Sequence, residues 1–212
     1  MKKALIVVGI LGALILIAVG GVLVAASTQP DVLHVERSTT VAAAPQDVYP
    51  LIDDYHQFVK WSPWSALDPD QTTEISDPPG GVDAWYSWSG NEDVGSGKMT
   101  TTAVEENVKV VQDLHFIEPF ESQAEVALTI EPRGEDQVEV HWTFDQESNL
   151  MAKAMGLFMD MDAMLGADFE KGLASLGTMA EAAAQDRLEA EREVAEAAVA
   201  AGIPGGEVAS AP

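Results

Sequence analysis

The feature that most constrains the fold is a change of period near residue 150. From Ser122 to Gln146 apolar and polar residues alternate. Ala124, Val126, Leu128 and Ile130 share one parity, and Val138, Val140, Trp142 and Phe144 share another run of it. Glu139, His141, Thr143 and Asp145 take the opposite parity. Period two puts alternate side chains on opposite faces of a strand, so these runs predict strands with one buried and one wet face. From Leu150 to about Ala184 the period changes. Met151, Met155, Phe158, Leu165, Phe169, Leu173, Leu176 and Ala180 recur at steps of three, four or seven, which makes one apolar stripe on a helix. Gly166 interrupts this run, predicting a short Met-rich helix or lid and then a long helix that opens near Ala167 and Asp168. The expected architecture is a twisted antiparallel sheet wrapped around one long C-terminal helix.

The earlier segments supply the remaining strands. His34 to Ala43 reads as a strand with Val35, Arg37, Thr39 and Val41 on one face. Pro45 suits a first helical turn, and the segment PQDVYPLIDDYHQFVKWSPW predicts one or two short helices that Pro50 breaks or restarts. Asp68 to Gly81 is acidic and rich in Pro and Gly, a turn with at most a short strand at Thr72 to Ser76. Val82 to Gly90 is a strand with Ala84, Tyr86 and Trp88 on one face. Asn91 to Gly97 is a glycine-rich turn with no Lys-Ser/Thr pair, and it leads into a strand, so it carries no phosphate-loop signal. Two more strands follow, Lys98 to Glu105 with Met99, Thr101 and Ala103 inward, and Val108 to Ile117 with Val110, Gln112, Leu114 and Phe116 inward. Turns recur about every 8–12 residues, as in a meander.

Residues 4–26 hold no charge. A helix of that length crosses a hydrocarbon core of about 30 Å, and it exceeds the apolar region of a cleavable signal, about 7–15 residues. Residues 1–28 are therefore expected to be a retained membrane anchor. Lys2 and Lys3 on the short side place the N-terminus in the cytoplasm and the rest outside the cell membrane, in the periplasm. Removing those two lysines leaves nine basic and 35 acidic residues, a net charge of −26. Such a surface repels phosphate backbones, so nucleic acid is not an expected partner. Residues 29–181 are expected to form the folded domain. Residues 182–212 are expected to be an acidic Ala/Glu-rich tail, first a solvated helical extension and then, beyond Gly202, unfolded chain. The chain has no cysteine.

A catalyst needs titratable groups held together, and the sequence assembles none. His115 and His141 have wet parity, and neither they nor His34 and His56 show metal-ligand spacing. Asp160 and Asp162 are two apart, which separates them on a helix. No GxSxG elbow occurs. Gln112 has buried parity and needs partners. Glu118 would become a candidate acid only if Phe116 and Phe120 enclosed it. No catalytic residue, metal or cofactor is expected.

The order strand, two short helices, six strands, long helix carries WSPW after the short helices and YSWSG before a glycine turn. It also carries FIEPF between two strands and MGLFMDMDAMLGADFEKGL at the start of the last helix. Over Leu33 to Glu181 this resembles the SRPBCC or START-like superfamily, within it the polyketide cyclase/dehydrase and lipid-transport-like proteins, and most nearly their membrane-anchored bacterial branch. The resemblance implies an α+β helix-grip fold, a curved seven-stranded antiparallel sheet closing on the C-terminal helix around a cavity. It implies binding of hydrophobic small molecules, and it carries no catalytic residue to this chain.

Three functions follow as expectations. The first is a membrane-tethered, non-catalytic binding module for a hydrophobic small molecule or lipid, in a cavity lined by Trp61, Trp64, Tyr86, Trp88, Gln112, Phe116, Phe120, Trp142, Phe158 and Phe169. The second is a cyclase- or dehydratase-type enzyme acting on a cyclic or aromatic substrate in the same cavity. A buried, titrating Glu118, or Gln112 with a neighbouring tyrosine, would favour it. The third is an envelope interaction module whose acidic tail recruits a protein partner.

Overall fold

A computed structural model describes residues 2–201, with side chains from Ile10. Helix α1 (Lys2–Ser27) comes first, followed by strand β1 (Val32–Val41), helices α2 (Pro45–Asp53) and α3 (Tyr55–Trp61), and a 3-10 turn at Pro63–Ala66. Strands β2 (Thr72–Ile75), β3 (Trp85–Ser89), β4 (Ser96–Glu105), β5 (Lys109–Glu118), β6 (Ser122–Pro132) and β7 (Val138–Glu147) follow. Helices α4 (Leu150–Gly156) and α5 (Met161–Ala200) close the order. The seven strands form one antiparallel sheet in the order β1-β7-β6-β5-β4-β3-β2. β1 closes onto the last strand of the meander, and α5 packs along β1 and β7. This is the sheet around a long C-terminal helix expected from the change of period, in the helix-grip form that the family resemblance implies.

The sheet's inner face and the α5 stripe make one core. Val126, Leu128, Ile130, Val138, Val140, Trp142 and Phe144 are buried, as are Phe169, Leu173, Leu176 and Ala180. The alternation survives as alternating burial most cleanly along β7. The outer face is wet and ionic. There His34 Nδ1 lies 2.7 Å from Asp145, and His141 Nδ1 lies 2.9 Å from Glu36.

Four local expectations need correction. Gly166 does not interrupt the helix. α5 opens at Met161, where Asp160 accepts from the Ala163 amide at 3.0 Å, a side-chain cap that satisfies one of the free first-turn N–H groups. Gly166 stands mid-helix because the Arg37 guanidinium crosses it, and a Cβ there would overlap Arg37. Pro50 does not break α2. The helix continues through it and ends at Asp54, whose extended backbone and carboxylate, accepting from the His56 amide at 2.7 Å, start α3. Ala103 does not face the core, because the β4–β5 register slips between Thr101 and Ala103. One extra residue in a strand reverses the parity beyond it, so Val104 turns inward instead. Finally, Met151, Met155 and Phe158 leave the apolar stripe. They are exposed on α4 and the turn after it, because α4 does not lie on the sheet.

The helix beyond Glu181 is more than a solvated extension in its first two turns. Ala184 is buried. Arg187 donates to both carboxylate oxygens of buried Asp47, at 2.9 and 3.0 Å, and Asp47 also accepts from the Ala44 amide at 3.0 Å. This pair clamps α5 to the start of α2. The part of the tail expected to be unfolded, residues 202–212, lies outside the described residues.

A candidate ligand cavity

Between the inner face of the sheet and the first turns of α5 lies a cavity of about 200 Å³. Its walls are apolar and largely aromatic. Tyr86 and Trp88 come from β3, Phe116 from β5, Trp142 and Phe144 from β7, and Phe169 from α5. Trp64 enters from the 3-10 turn and Leu165 from the start of α5. The rings lock one another in place. Trp142 stacks on Phe169 with centroids 4.2 Å apart and planes 2° apart, and Trp64 meets the edges of both, at 5.7 and 6.2 Å. Tyr86 stacks on Trp88 at 5.7 Å, and Phe116 meets Trp88 edge-on at 6.0 Å. Aromatic quadrupoles favour these offset and edge-on geometries.

Two glycines make room for the rings. A Cβ on Gly97 would come within 2.5 Å of the Trp88 ring, and one on Gly172 within 2.7 Å of the Trp142 ring. Both lie below any tolerated contact, so each backbone acts as a flat bed for an indole. The Trp88 indole N–H is satisfied at the rim, donating to the Val94 carbonyl at 3.0 Å.

Seven of the ten residues expected to line the cavity do so: Trp64, Tyr86, Trp88, Gln112, Phe116, Trp142 and Phe169. The other three do not. Trp61 is buried behind the wall, edge-on to Trp142 at 5.2 Å, with its indole N–H donating to the Leu51 carbonyl at 2.8 Å. It plugs the core. Phe120 and Phe158 are each 77% exposed and do not line the cavity. Phe120 sits in the loop after β5, and Phe158 follows α4. Period alone could not show that these segments leave the packed layers. Phe58, Met99 and Val126 also line the cavity. The inward parity of Met99 and Val126 was visible in the sequence, whereas Phe58 needed the packing of α3.

The deepest polar groups form a short chain. Thr101 on β4 pairs with Gln112 on β5. Tyr55 reaches between them from the first turn of α3, its hydroxyl 3.1 Å from the Thr101 hydroxyl and accepting from Gln112 Nε2 at 3.3 Å. All three residues are fully buried. Burial pushes the Tyr55 hydroxyl up to about 12 against the opposing pull of Thr101 and Gln112, because the phenolate would have to form without water. Two buried groups on the cavity-lining side chains lack partners, Gln112 Oε1 and Trp142 Nε1. Glu118, at the exposed end of β5, is not enclosed and joins none of this.

The carboxylates nearest the start of α5 are committed to structure. Asp162 holds Arg37 through two contacts of 3.0 and 3.1 Å, and Glu170 adds a third at 3.2 Å. The Arg37 guanidinium holds the Asp162 carboxyl below the usual range. On the outer face Glu131, Glu139 and His141 come close enough together for a metal, but Arg133 already pairs with both glutamates.

The family model for polyketide cyclase / dehydrase and lipid transport matches residues 32–181. The chain belongs to that family. The match starts at β1 and ends within α5, so it covers the sheet, the short helices and the cavity and leaves out α1 and the last turns of α5. Solved structures of the same shape span the family domain. Truncated norcoclaurine synthase from Thalictrum flavum is 13% identical with a TM-score of 0.52, covering 69% of this chain and 95% of its own. A structural-genomics protein from Chromobacterium violaceum is 11% identical with a TM-score of 0.51, covering 72% of this chain and 99% of its own. The Aha1 dimer from Colwellia psychrerythraea is 19% identical with a TM-score of 0.50, covering 70% and 96%. At such identities the likeness is one of fold. No curated protein matches the chain.

Proposed function

We propose that this protein is a membrane-tethered, non-catalytic binding module for a hydrophobic small molecule or lipid. The observation that carries this reading is the cavity wall, a set of mutually locked aromatic rings with Gln112 buried among them. Binding sites of this kind are mostly apolar, with a few polar groups that fix orientation. Gln112 Oε1 and Trp142 Nε1, without partners of their own, are the groups that gain most from a ligand bearing a hydroxyl or carbonyl. Helix α1 is the one helix among the described residues long and apolar enough to cross a membrane. In this reading it is a retained anchor, with its N-terminus in the cytoplasm and the domain on the far side.

One observation favours the cyclase- or dehydratase-type alternative, the buried hydrogen bond between Gln112 and Tyr55. Against it, a tyrosine hydroxyl pushed up to about 12 is a weak acid at neutral pH, and a general acid works best with a pKa near the working pH. The family's own description spans both activities.

The test is native mass spectrometry of the full chain, extracted gently from its host in a mild detergent. A co-purifying mass that partitions into organic solvent as one compound class supports the carrier reading and names the ligand. A mass that remains bare after challenge with envelope lipids overturns it. Conversion of a bound aromatic or cyclic compound during the challenge moves the assignment to the enzyme.

A further inference from the structure

The tether and the cavity mouth lie at the same end of the sheet. β1 starts at Val32, opposite Glu147 at the end of β7. The antiparallel register then places the β5–β6 loop, with Phe120, and the β3–β4 loop, with Asp93 and Val94, at that end too. Val94 and Asp93 line the cavity, as does Leu165 in the second turn of α5. The turns that contain Val108 and Glu135 lie at the opposite end, one ten-residue strand away, or about 30 Å.

The connection to α1 is short and stitched down. The Thr28 and Gln29 amides bond back to the Ala25 and Ala26 carbonyls at 3.2 and 3.1 Å. The Ser148 amide donates to the Asp31 carbonyl at 2.8 Å, and Lys153 on α4 pairs with the Asp31 carboxylate. Ala26 is buried, and α1 packs against α4. A helix that spans a bilayer therefore holds α4 at the bilayer surface.

That same end carries the two exposed phenylalanines and a group of exposed methionines. Phe120 and Phe158 are each 77% exposed, and Met151, Met155, Met159 and Met164 lie exposed around the start of α5. The chain as a whole carries a strong acidic excess. Apolar patches of this sort mark contacts with other molecules or with membranes. Methionine and phenylalanine beside a spanning helix suit the boundary between headgroups and acyl chains.

We propose that Phe120, α4 and the first turn of α5 rest in the interface of the bilayer that α1 crosses, so that the cavity mouth faces the lipid and an apolar ligand passes between the two without crossing water. The proposal rests on reading α1 as an anchor. Of the nearby acids, Asp162 is held by Arg37 and Glu121 lies 3.2 Å from His115, while Glu92, Asp93, Glu118 and Asp160 pair with no base among the described residues and Lys153 is taken by Asp31. The surface therefore suits a zwitterionic interface better than an anionic one.

The chain has no cysteine, so single cysteines placed in the full chain report position. Leu14→Cys, Phe158→Cys and Val108→Cys, each carrying an environment-sensitive fluorophore, are reconstituted one chain per phosphatidylcholine nanodisc. Some of the lipids carry brominated acyl chains. The label at 158 should be quenched several-fold more by brominated lipid than the label at 108, and the label at 14 more still. If 14 is quenched but 158 behaves as 108 does, the docking is overturned while the anchor stands. An unquenched 14 overturns both. A label at 158 shielded from aqueous iodide but not quenched by brominated lipid means that protein, not lipid, covers the face, and overturns the proposal.

Discussion

Trp142→Ala probes the centre of the wall. The indole is 2% exposed, so nearly its whole surface, about 150–250 Å² for an aromatic residue, leaves water on folding. At about 25 cal/mol per Å² this is roughly 4–6 kcal/mol, an upper bound because unfolded chains are themselves partly collapsed. Truncation also removes the stack on Phe169 at 4.2 Å and the edge contacts with Trp61 and Trp64 at 5.2 and 5.7 Å. One side of the indole already borders the cavity, so fewer packing contacts are lost than in a solid core. The expected cost is about 3–5 kcal/mol, which for a domain of this size lowers Tm by roughly 6–20 °C. Urea unfolding of the full chain in detergent, followed by the near-ultraviolet circular dichroism of the remaining aromatics, gives the number. A loss below about 1 kcal/mol would refute the reasoning, because it would mean that the ring packs on nothing that matters. Trp88→Ala is the internal control. Trp88 is only half-buried, at the mouth, so its truncation should cost less stability than that of Trp142 and still weaken ligand retention.

Other outcomes follow from the same contacts. Gly172→Ala places a methyl 2.7 Å from the Trp142 ring and should destabilise by about 1–3 kcal/mol through overpacking, read by the same unfolding curve. Arg187→Met removes both guanidinium bonds to the buried Asp47 carboxylate and leaves it only the Ala44 amide. Breaking a buried pair costs about 3–5 kcal/mol, and water reaching the partly exposed guanidinium should bring this toward the low end. A chain ending at Glu181 should then be less stable than one ending at Ala201, and equal unfolding midpoints would argue against the clamp. Gln112→Leu removes an oxygen that has no partner and the long 3.3 Å bond from Nε2 to the Tyr55 hydroxyl, which keeps Thr101. It should change the stability of the empty protein by less than about 1 kcal/mol while loosening a ligand that carries a hydroxyl, measured by native mass spectrometry. The pairing with Asp145 raises the His34 imidazole above its ordinary value of 6.5. A raised folded value stabilises below the unfolded pKa, and the effect fades as pH rises through the folded value. His34→Gln should therefore lower the unfolding midpoint at about pH 5.5 and leave it unchanged at about pH 9, and equal losses at both would remove the imidazolium from the account.

Local spacing determined a good deal on its own. Strict alternation on β6 and β7, and the three-four spacing from Leu165 to Ala180, depend only on which side chains share a face, and those faces became the core. The strand, helix and turn order was readable for the same reason, and with it seven of the ten cavity residues. An uncharged run from residue 4 to 26 is likewise a property of sequence alone. Tertiary structure decided what spacing cannot carry. Gly166 reads as an interruption until Arg37, distant in sequence, is seen to cross it, and nothing in the local spacing shows that the Trp142 ring lies on Gly172. Arg187 lies in a stretch without an apolar stripe, and only the approach of α2 gives it Asp47 to hold. Phe120 and Phe158 follow the hydrophobic rule for burial, yet they lie where the chain has left the layers. Periodicity assigns a side chain to a face of its own element. Whether that face meets a core, a cavity or open surface is set by the neighbours that folding brings to it.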